Sequence, residues 1–126
     1  MIILGIPLHQ WWNKFFFRLN NHTFQAVVVM VESGEIQPDE NHIAQLPPPY
    51  EYLSRCGGEI MIDQSNGITR VFFYTYRDMF DDFAGYLYRS DFNPPQKNDF
   101  EERTNRLRSW SWFEQLRPYW YFCTNV

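Results

Sequence analysis

The chain has 126 residues, a net charge of −4, and an unusually large aromatic content of 12 Phe, 8 Tyr and 5 Trp. This length predicts a single domain over residues 1–126, able to bury a core without disulfides. The acidic balance argues against a protein that binds mainly nucleic-acid phosphates, and no apolar run reaches the roughly 20 residues of a membrane span.

The cysteines and the N-terminal segment indicate the cellular compartment of the protein. Cys56 and Cys123 are far apart in sequence and show neither a CxxC pattern nor a Cys/His metal-ligand spacing. The opening MIILGIPLHQWW lacks the basic region and the cleavage site of a signal peptide. We therefore expect a soluble cytoplasmic protein with two reduced thiols and no cofactor or metal.

The first third of the chain predicts a helix followed by a buried strand. Residues 8–21 place Trp12, Phe16 and Leu19 at helical spacing, and Asn20-Asn21 closes the pattern. The β-branched run FQAVVVMVESG, residues 24–34, predicts a strand that is buried on both faces.

A second short helix is predicted over residues 38–46, PDENHIAQL, with Pro38 in its first turn and Pro47 ending it. Residues 47–49, three consecutive prolines, are expected to be extended. The next two runs, GEIMID and ITRVFFYTYR, flank QSNG. Asn66-Gly67 between two such runs is a strong hairpin signal.

The second run of this hairpin carries large side chains on both sides. In a strand, one face carries Val71, Phe73 and Thr75, and the other carries Phe72, Tyr74 and Tyr76. Both faces are mostly apolar, so each requires a covering element.

The remaining elements are a strand, a helix and a closing strand. Residues 78–90 fit either a helix or a strand, and Gly85 favours a turn at Asp81-Asp82 followed by a strand. Residues 98–116 predict a helix that ends before Pro118, and YWYFCT predicts a final strand.

Together these elements predict an α+β fold. We expect an antiparallel sheet of about four to five strands, with helices packed mainly on one face, in a cone-like or cystatin-like arrangement. An order of elements of this kind says little about function.

Two groups of residues could carry chemistry. An acid cluster could hold a hard cation or act in acid–base catalysis, although turns also favour Asp; it consists of Asp78, Asp81 and Asp82. Cys56 precedes Gly57-Gly58, a context more typical of a tight turn than of a nucleophile. No sequence motif of a known catalytic site is present, so no catalytic residue is predicted.

Two further stretches could bind a partner. The Pro-rich stretch that ends at Tyr50 resembles a PPxY ligand, but a rigid connector with Tyr50 packed on the sheet is the preferred interpretation. Near the C-terminus, Arg106 and Arg108 alternate with Trp110 and Trp112, a composition used to grip single-stranded nucleic acid.

On a helix, residues two apart point about 200° away from each other. Trp110 would then face inward, and Trp112 would face the surface. An exposed Trp112 is more typical of a protein interface.

Three functions remain open. We favour a non-catalytic interaction module that binds itself as a homodimer, or another protein, through Tyr50, Tyr74, Tyr76, Arg106, Arg108, Trp110 and Trp112. The second is a small-molecule-binding or enzymatic cone-shaped fold, with an aromatic cleft and polar groups from Asp78, Asp81 and Asp82. The third is single-stranded nucleic-acid binding through residues 103–120.

Overall fold

The structure is a computed structural model that describes residues 2–55, 57–77, 83–96 and 110–124, with the side chains of the first helix described from residue 11 onward. Its fold is α+β. The helix is α1 (Ile2–Glu32), and the strands are β1 (Ile43–Gln45), β2 (Glu59–Asp63), β3 (Arg70–Arg77), β4 (Phe83–Arg89), β5 (Trp112–Arg117) and β6 (Trp120–Thr124). These strands form one six-stranded sheet in the order β1-β2-β3-β4-β6-β5, one strand more than the upper expectation.

Helix α1 continues without interruption through the segment predicted as a strand, so the prediction for residues 24–34 is wrong. Phe24, Val28 and Val31 recur at helical spacing and are buried together. Asn20 does not end the helix, because its side-chain amide donates to the backbone carbonyl of Phe16 within it. Burial of one helix face outweighs the small β-preference of valine.

The predicted short helix over residues 38–46 is also wrong. Ile43–Gln45 forms β1, which pairs with β2. The side-chain Oδ1 of Asp39 accepts from the backbone N–H groups of Asn41 and Ile43, so Asp39 organises a turn instead of a helix start.

The prediction of an extended segment at residues 47–49 is confirmed for Pro47, with φ −57° and ψ 151°. It is wrong for Pro48 and Pro49, which begin the 3₁₀ helix Pro48–Leu53. Proline suits a first helical turn as well as an extended segment, and the sequence does not separate the two.

The hairpin prediction is confirmed. β2 and β3 pair antiparallel, with Ile60 opposite Phe73. The connection bends at Asn66 and Gly67, whose φ values of 58° and 74° lie in the left-handed region that these residue types tolerate.

The C-terminal half confirms two strands and corrects one helix. β4 begins at Phe83, as the preferred strand interpretation required, although the predicted turn at 81–82 lies outside the described residues. β6 matches the predicted last strand. Residues 112–116 belong to β5 and not to a helix, because they pair with β6 across a tight turn; the rest of the predicted helix, apart from Trp110 and Ser111, lies outside the described residues.

The central strands β3 and β4 bury residues on both faces of the sheet. One face meets α1, where the Phe24 ring lies 4.9 Å from the Phe73 ring in an edge-on contact. The opposite face carries a second cluster made of Met61, Phe72, Tyr74, Phe83, Leu87, Tyr121 and Cys123. Phe72 and Phe73 are both fully buried, which confirms the two-sided interpretation of β3.

A β-bulge changes the direction of the last residues of β3. The pairing shifts between Tyr74 and Tyr76, so that Tyr76 lies opposite Ala84, on the same side of the sheet as Tyr86. Tyr76 therefore does not share a face with Tyr74, contrary to simple alternation. Arg77 returns to the second face, where its guanidinium carbon lies 5.2 Å from the centre of the Tyr74 ring.

We expect Gly85→Ala to destabilise the fold. A Cβ at this position would collide with the backbone carbonyl oxygen of Phe73 and lie 2.9 Å from Cζ of Phe72. The strands would have to separate, which costs about 1–3 kcal/mol or more. Urea unfolding of the variant and the parent measures the loss, and an unchanged midpoint would contradict the tight approach of β3 and β4.

Candidate functional site

Exposed aromatic and aliphatic side chains concentrate on one side of the long helix. We call this surface the α1 outer face; it consists of Trp11, Trp12, Phe15, Leu19 and Val29, which are 57, 46, 37, 66 and 57 % exposed. Scattered single apolar residues on a surface are ordinary, whereas an apolar patch such as that of Trp11, Trp12, Phe15 and Leu19 on successive helical turns is typical of interaction surfaces.

The outer face lies opposite the face of α1 that packs on the sheet. Phe17 and Phe24 point into the core and are almost completely buried. At about 100° per residue, Phe15 and Leu19 fall roughly half a turn of the helix away from them. The helix is therefore apolar on two opposite sides, and the sheet covers only one.

Ring contacts order the first part of the outer face. The rings of Trp11 and Phe15 stack with centroids 5.2 Å apart and planes 6° from parallel. Trp12 contacts the same Phe15 ring at 5.9 Å. These three rings form one continuous aromatic surface on consecutive helical turns.

Polar contacts fix α1 to the sheet and leave the outer face open. The hydroxyl of Tyr86 donates to the backbone carbonyl of Asn13 at 2.8 Å. Burial raises the pKa of Tyr86 well above its usual range, which keeps this hydroxyl protonated as a donor. Nε1 of Trp120 donates to Gln25 at 3.1 Å.

Two further contacts, one with Tyr52 and one with β5, also attach α1 to neighbouring elements. The hydroxyl of Tyr52 donates to the side-chain oxygen of Asn20 at 2.9 Å. Nζ of Lys14 lies 2.6 Å from a carboxylate oxygen of Glu114 on β5. This ion pair is largely exposed and therefore contributes little to stability.

The residues predicted from sequence as interface candidates do not form one surface. Tyr74 is only 1 % exposed and packs within the second-face cluster. Trp110 is half-buried in the same cluster, stacked 5.5 Å from Phe72. These rings therefore stabilise the sheet of their own chain.

The other described candidates lie elsewhere. Tyr76 is 48 % and Trp112 40 % exposed, and Trp112 contacts Phe122 on the α1 side of the sheet. Tyr50 is half-buried against the α1-side core, in line with the connector interpretation. The candidates Asp78, Asp81, Asp82, Arg106 and Arg108 lie outside the described residues, as does Cys56.

Sequence reasoning missed the α1 outer face as a site. The sequence does contain the signal, since Trp12, Phe15 and Leu19 recur at spacings of three and four residues, as do the buried Phe24, Val28 and Val31. Assigning residues 24–34 to a strand broke this second repeat, so only one apolar helix face was recognised.

The buried charge beside the β5–β6 turn is compensated within the chain. The Arg89 side chain is 3 % exposed, and its Nη2 lies 2.8 Å from Oδ2 of Asp91. Its Nε donates to Oδ1 of the same carboxylate at 3.0 Å, which makes the pair bidentate. These hydrogen bonds from Arg89 hold the pKa of Asp91 well below its usual range.

The described part of the chain was also compared with the requirements of a metal site and of a membrane-spanning helix. No group of three or more His, Cys, Asp or Glu residues there is placed to hold a metal ion. Within the same residues, no helix combines the length and the apolar character needed to cross a membrane.

Comparison of the chain with protein-family models, with curated proteins and with solved structures gives no match in any of the three.

We expect acid to weaken the fold through Asp91. Its folded pKa lies below the unfolded value of about 4, so its stabilising effect is complete above that pH and is lost progressively as the pH falls below it. Asp91→Asn should remove this dependence and cost about 3–5 kcal/mol at neutral pH, because Arg89 stays buried without its counter-charge.

Urea unfolding at pH 7 and at successively lower pH measures both effects. Asp63→Asn is the matched control, since Asp63 contacts the more loosely paired Arg70 at 3.5 Å. A control that loses as much stability as Asp91→Asn would contradict the special role of the bidentate pair.

Proposed function

We propose that this protein is a non-catalytic interaction module that self-associates through exposed aromatic surface, with the α1 outer face as the main contact. One observation carries the proposal: five large apolar side chains, each 37–66 % exposed, lie on the side of α1 that faces away from the sheet, and four of them lie on successive turns between Trp11 and Leu19. Water contact with such a surface is unfavourable, and association removes it.

The residue types support a protein partner. Tryptophan and other aromatic residues are enriched where binding energy concentrates at protein interfaces. Trp11 and Trp12 supply large rigid rings that lose little conformational entropy when they are buried. The outer face also lacks the converging polar groups that fix a small ligand in a pocket.

The attachment of α1 supports the proposal as well. The outer face sits on a regular helix, and the hydrogen bonds at Asn13, Asn20 and Gln25 hold that helix against the body of the protein. A contact surface that is already ordered loses less entropy on binding than a flexible one.

Tyr76 and Trp112 remain candidates for additional contacts, because both are substantially exposed. They lie on strands β3 and β5 and not on α1, so contacts through them are tested separately from the helix. Alanine substitution at each of them provides this test.

We also place the module in a reducing, cytoplasmic environment. Cys123 is a buried thiol, and the two cysteines show neither a CxxC pattern nor a Cys/His metal-ligand spacing. Self-association would then occur without covalent links between copies.

Light scattering over a concentration series should show a mass above that of the 15.4 kDa monomer. Trp11 and Trp12 become buried in the complex, so the tryptophan emission should shift to the blue and become protected from a soluble quencher as the mass rises. A monomer at every concentration with fully accessible tryptophans would contradict self-association.

Point substitutions then identify which surface forms the contact between copies. We expect Leu19→Gln to raise the dissociation constant at least tenfold, because it removes the most exposed side chain of the outer face, and to change stability by no more than about 0.5 kcal/mol. Tyr76→Ala and Trp112→Ala are the comparison variants for the strand surfaces. If Leu19→Gln associates as strongly as the parent while either comparison variant associates more weakly, the interface lies on the sheet and not on α1.

A further inference from the structure

The outer side of α1 contains a seven-residue repeat. Exposed residues recur at alternating spacings of three and four, and we call this row the outer seam: Trp12, Phe15, Leu19, His22, Ala26 and Val29. Such spacing is the pattern by which two helices pack side by side with a small left-handed crossing angle. In this structure nothing from the described residues covers the seam.

We infer that the outer seam pairs with the same seam of a second copy in antiparallel orientation, so that the two α1 helices lie between the two sheets. This inference rests on the self-association proposed above and adds the partner, the orientation and the register. The symmetry is two-fold, so each contact occurs twice.

The sizes of the seam residues select the antiparallel arrangement. When the two seams run in opposite directions and overlap fully, Trp12 lies opposite Val29 of the second copy, and Phe15 lies opposite Ala26. Leu19 lies opposite His22 of the second copy. Two of the three layers then combine a large aromatic with a smaller side chain, and the third pairs two side chains of similar medium size, which fills the space between the helices evenly.

A parallel pairing in register would pack the same residues poorly. Each residue would meet its own counterpart, so that two Trp12 rings would crowd one layer and two Ala26 methyl groups would leave a gap in another. Two His22 imidazoles would also face each other. Gaps and crowding of this kind each cost about 1–3 kcal/mol.

The flanking charges are compatible with the antiparallel register. Arg18 lies beside the seam and faces Gln25 of the second copy, so the two Arg18 side chains do not oppose one another. Lys14 points toward the sheet side, where it is paired with Glu114 of its own chain at 2.6 Å. No like charges meet across the contact.

The available area reaches the lower limit for a specific interface. A buried aromatic side chain contributes on the order of 150–250 Å². The exposed parts of the five outer-face residues therefore amount to roughly 500 Å² per copy, or about 1,000 Å² for the pair. The overlap from Trp12 to Val29 extends the contact along roughly 27 Å of helix.

Disulfide trapping distinguishes the orientations. In a Cys56→Ser background, chains carrying Phe15→Cys are mixed with chains carrying Ala26→Cys and oxidised; Cys123 is buried and stays unreactive. The antiparallel register brings residue 15 of one chain against residue 26 of the other, so the mixture should yield the cross-linked pair and neither chain alone should do so. Residues 15 and 26 lie about 16 Å apart along one helix, too far to mistake one register for the other.

The other outcomes of trapping overturn the inference in distinguishable ways. Links within each single-variant sample would indicate a parallel pair and would leave self-association standing. A dimer by light scattering without any of these links would place the interface elsewhere on the protein. A monomer throughout would overturn the inference and the proposed function together.

A second variant distinguishes specific packing at the seam from nonspecific hydrophobic association. Ala26→Trp enlarges the small partner of Phe15 at a position that is exposed in the single chain. A packed antiparallel seam predicts at least a tenfold rise in the dissociation constant, with the melting temperature unchanged at concentrations at which both the variant and the parent are monomeric. A tighter association would contradict the seam, because added apolar surface strengthens only a contact that lacks defined packing.

Discussion

The contact of Phe24 with the sheet is the interaction on which the rest of the structure depends. This ring is fully buried and lies within 5.8 Å of the rings of Phe73, Tyr86 and Trp120, which come from three neighbouring strands. Because one helical residue contacts β3, β4 and β6, it fixes the position of α1 over these three neighbouring strands. Losing this ring would leave a cavity at the centre of the core.

The requirement to bury aromatic rings on both sides of β3 shapes the sheet. Phe73 packs toward α1 and Phe72 packs toward the second cluster, so the strand has no solvated face. The bulge at the end of β3 then turns Tyr76 away from this second cluster. Gly85 has no side chain, and this permits the close approach of β4 to Phe72 and Phe73.

The same helix that completes the core also carries the proposed interface. A helix with one apolar face can bury that face against one sheet. Helix α1 has apolar residues on two opposite sides, and the second side is exposed in the single chain. Its core contacts and its hydrogen bonds with neighbouring elements prevent α1 from rotating to hide the outer face. The protein therefore presents an ordered apolar surface, and this surface is the basis for the self-association proposed above.

The sequence by itself determined the class, the hairpin at Asn66-Gly67, the strands at residues 83–89 and 120–124, and the two-sided character of Phe72 and Phe73. These follow from local turn chemistry and from period-two alternation, which need no knowledge of distant residues. Only the tertiary structure decided that residues 24–32 continue a helix and that residues 112–117 form a strand. In both cases the local preference is weak, about 1 kcal/mol or less per residue. The larger gain comes from partners far away in sequence, since Val28 and Val31 pack on the sheet and Trp112–Arg117 pairs with β6.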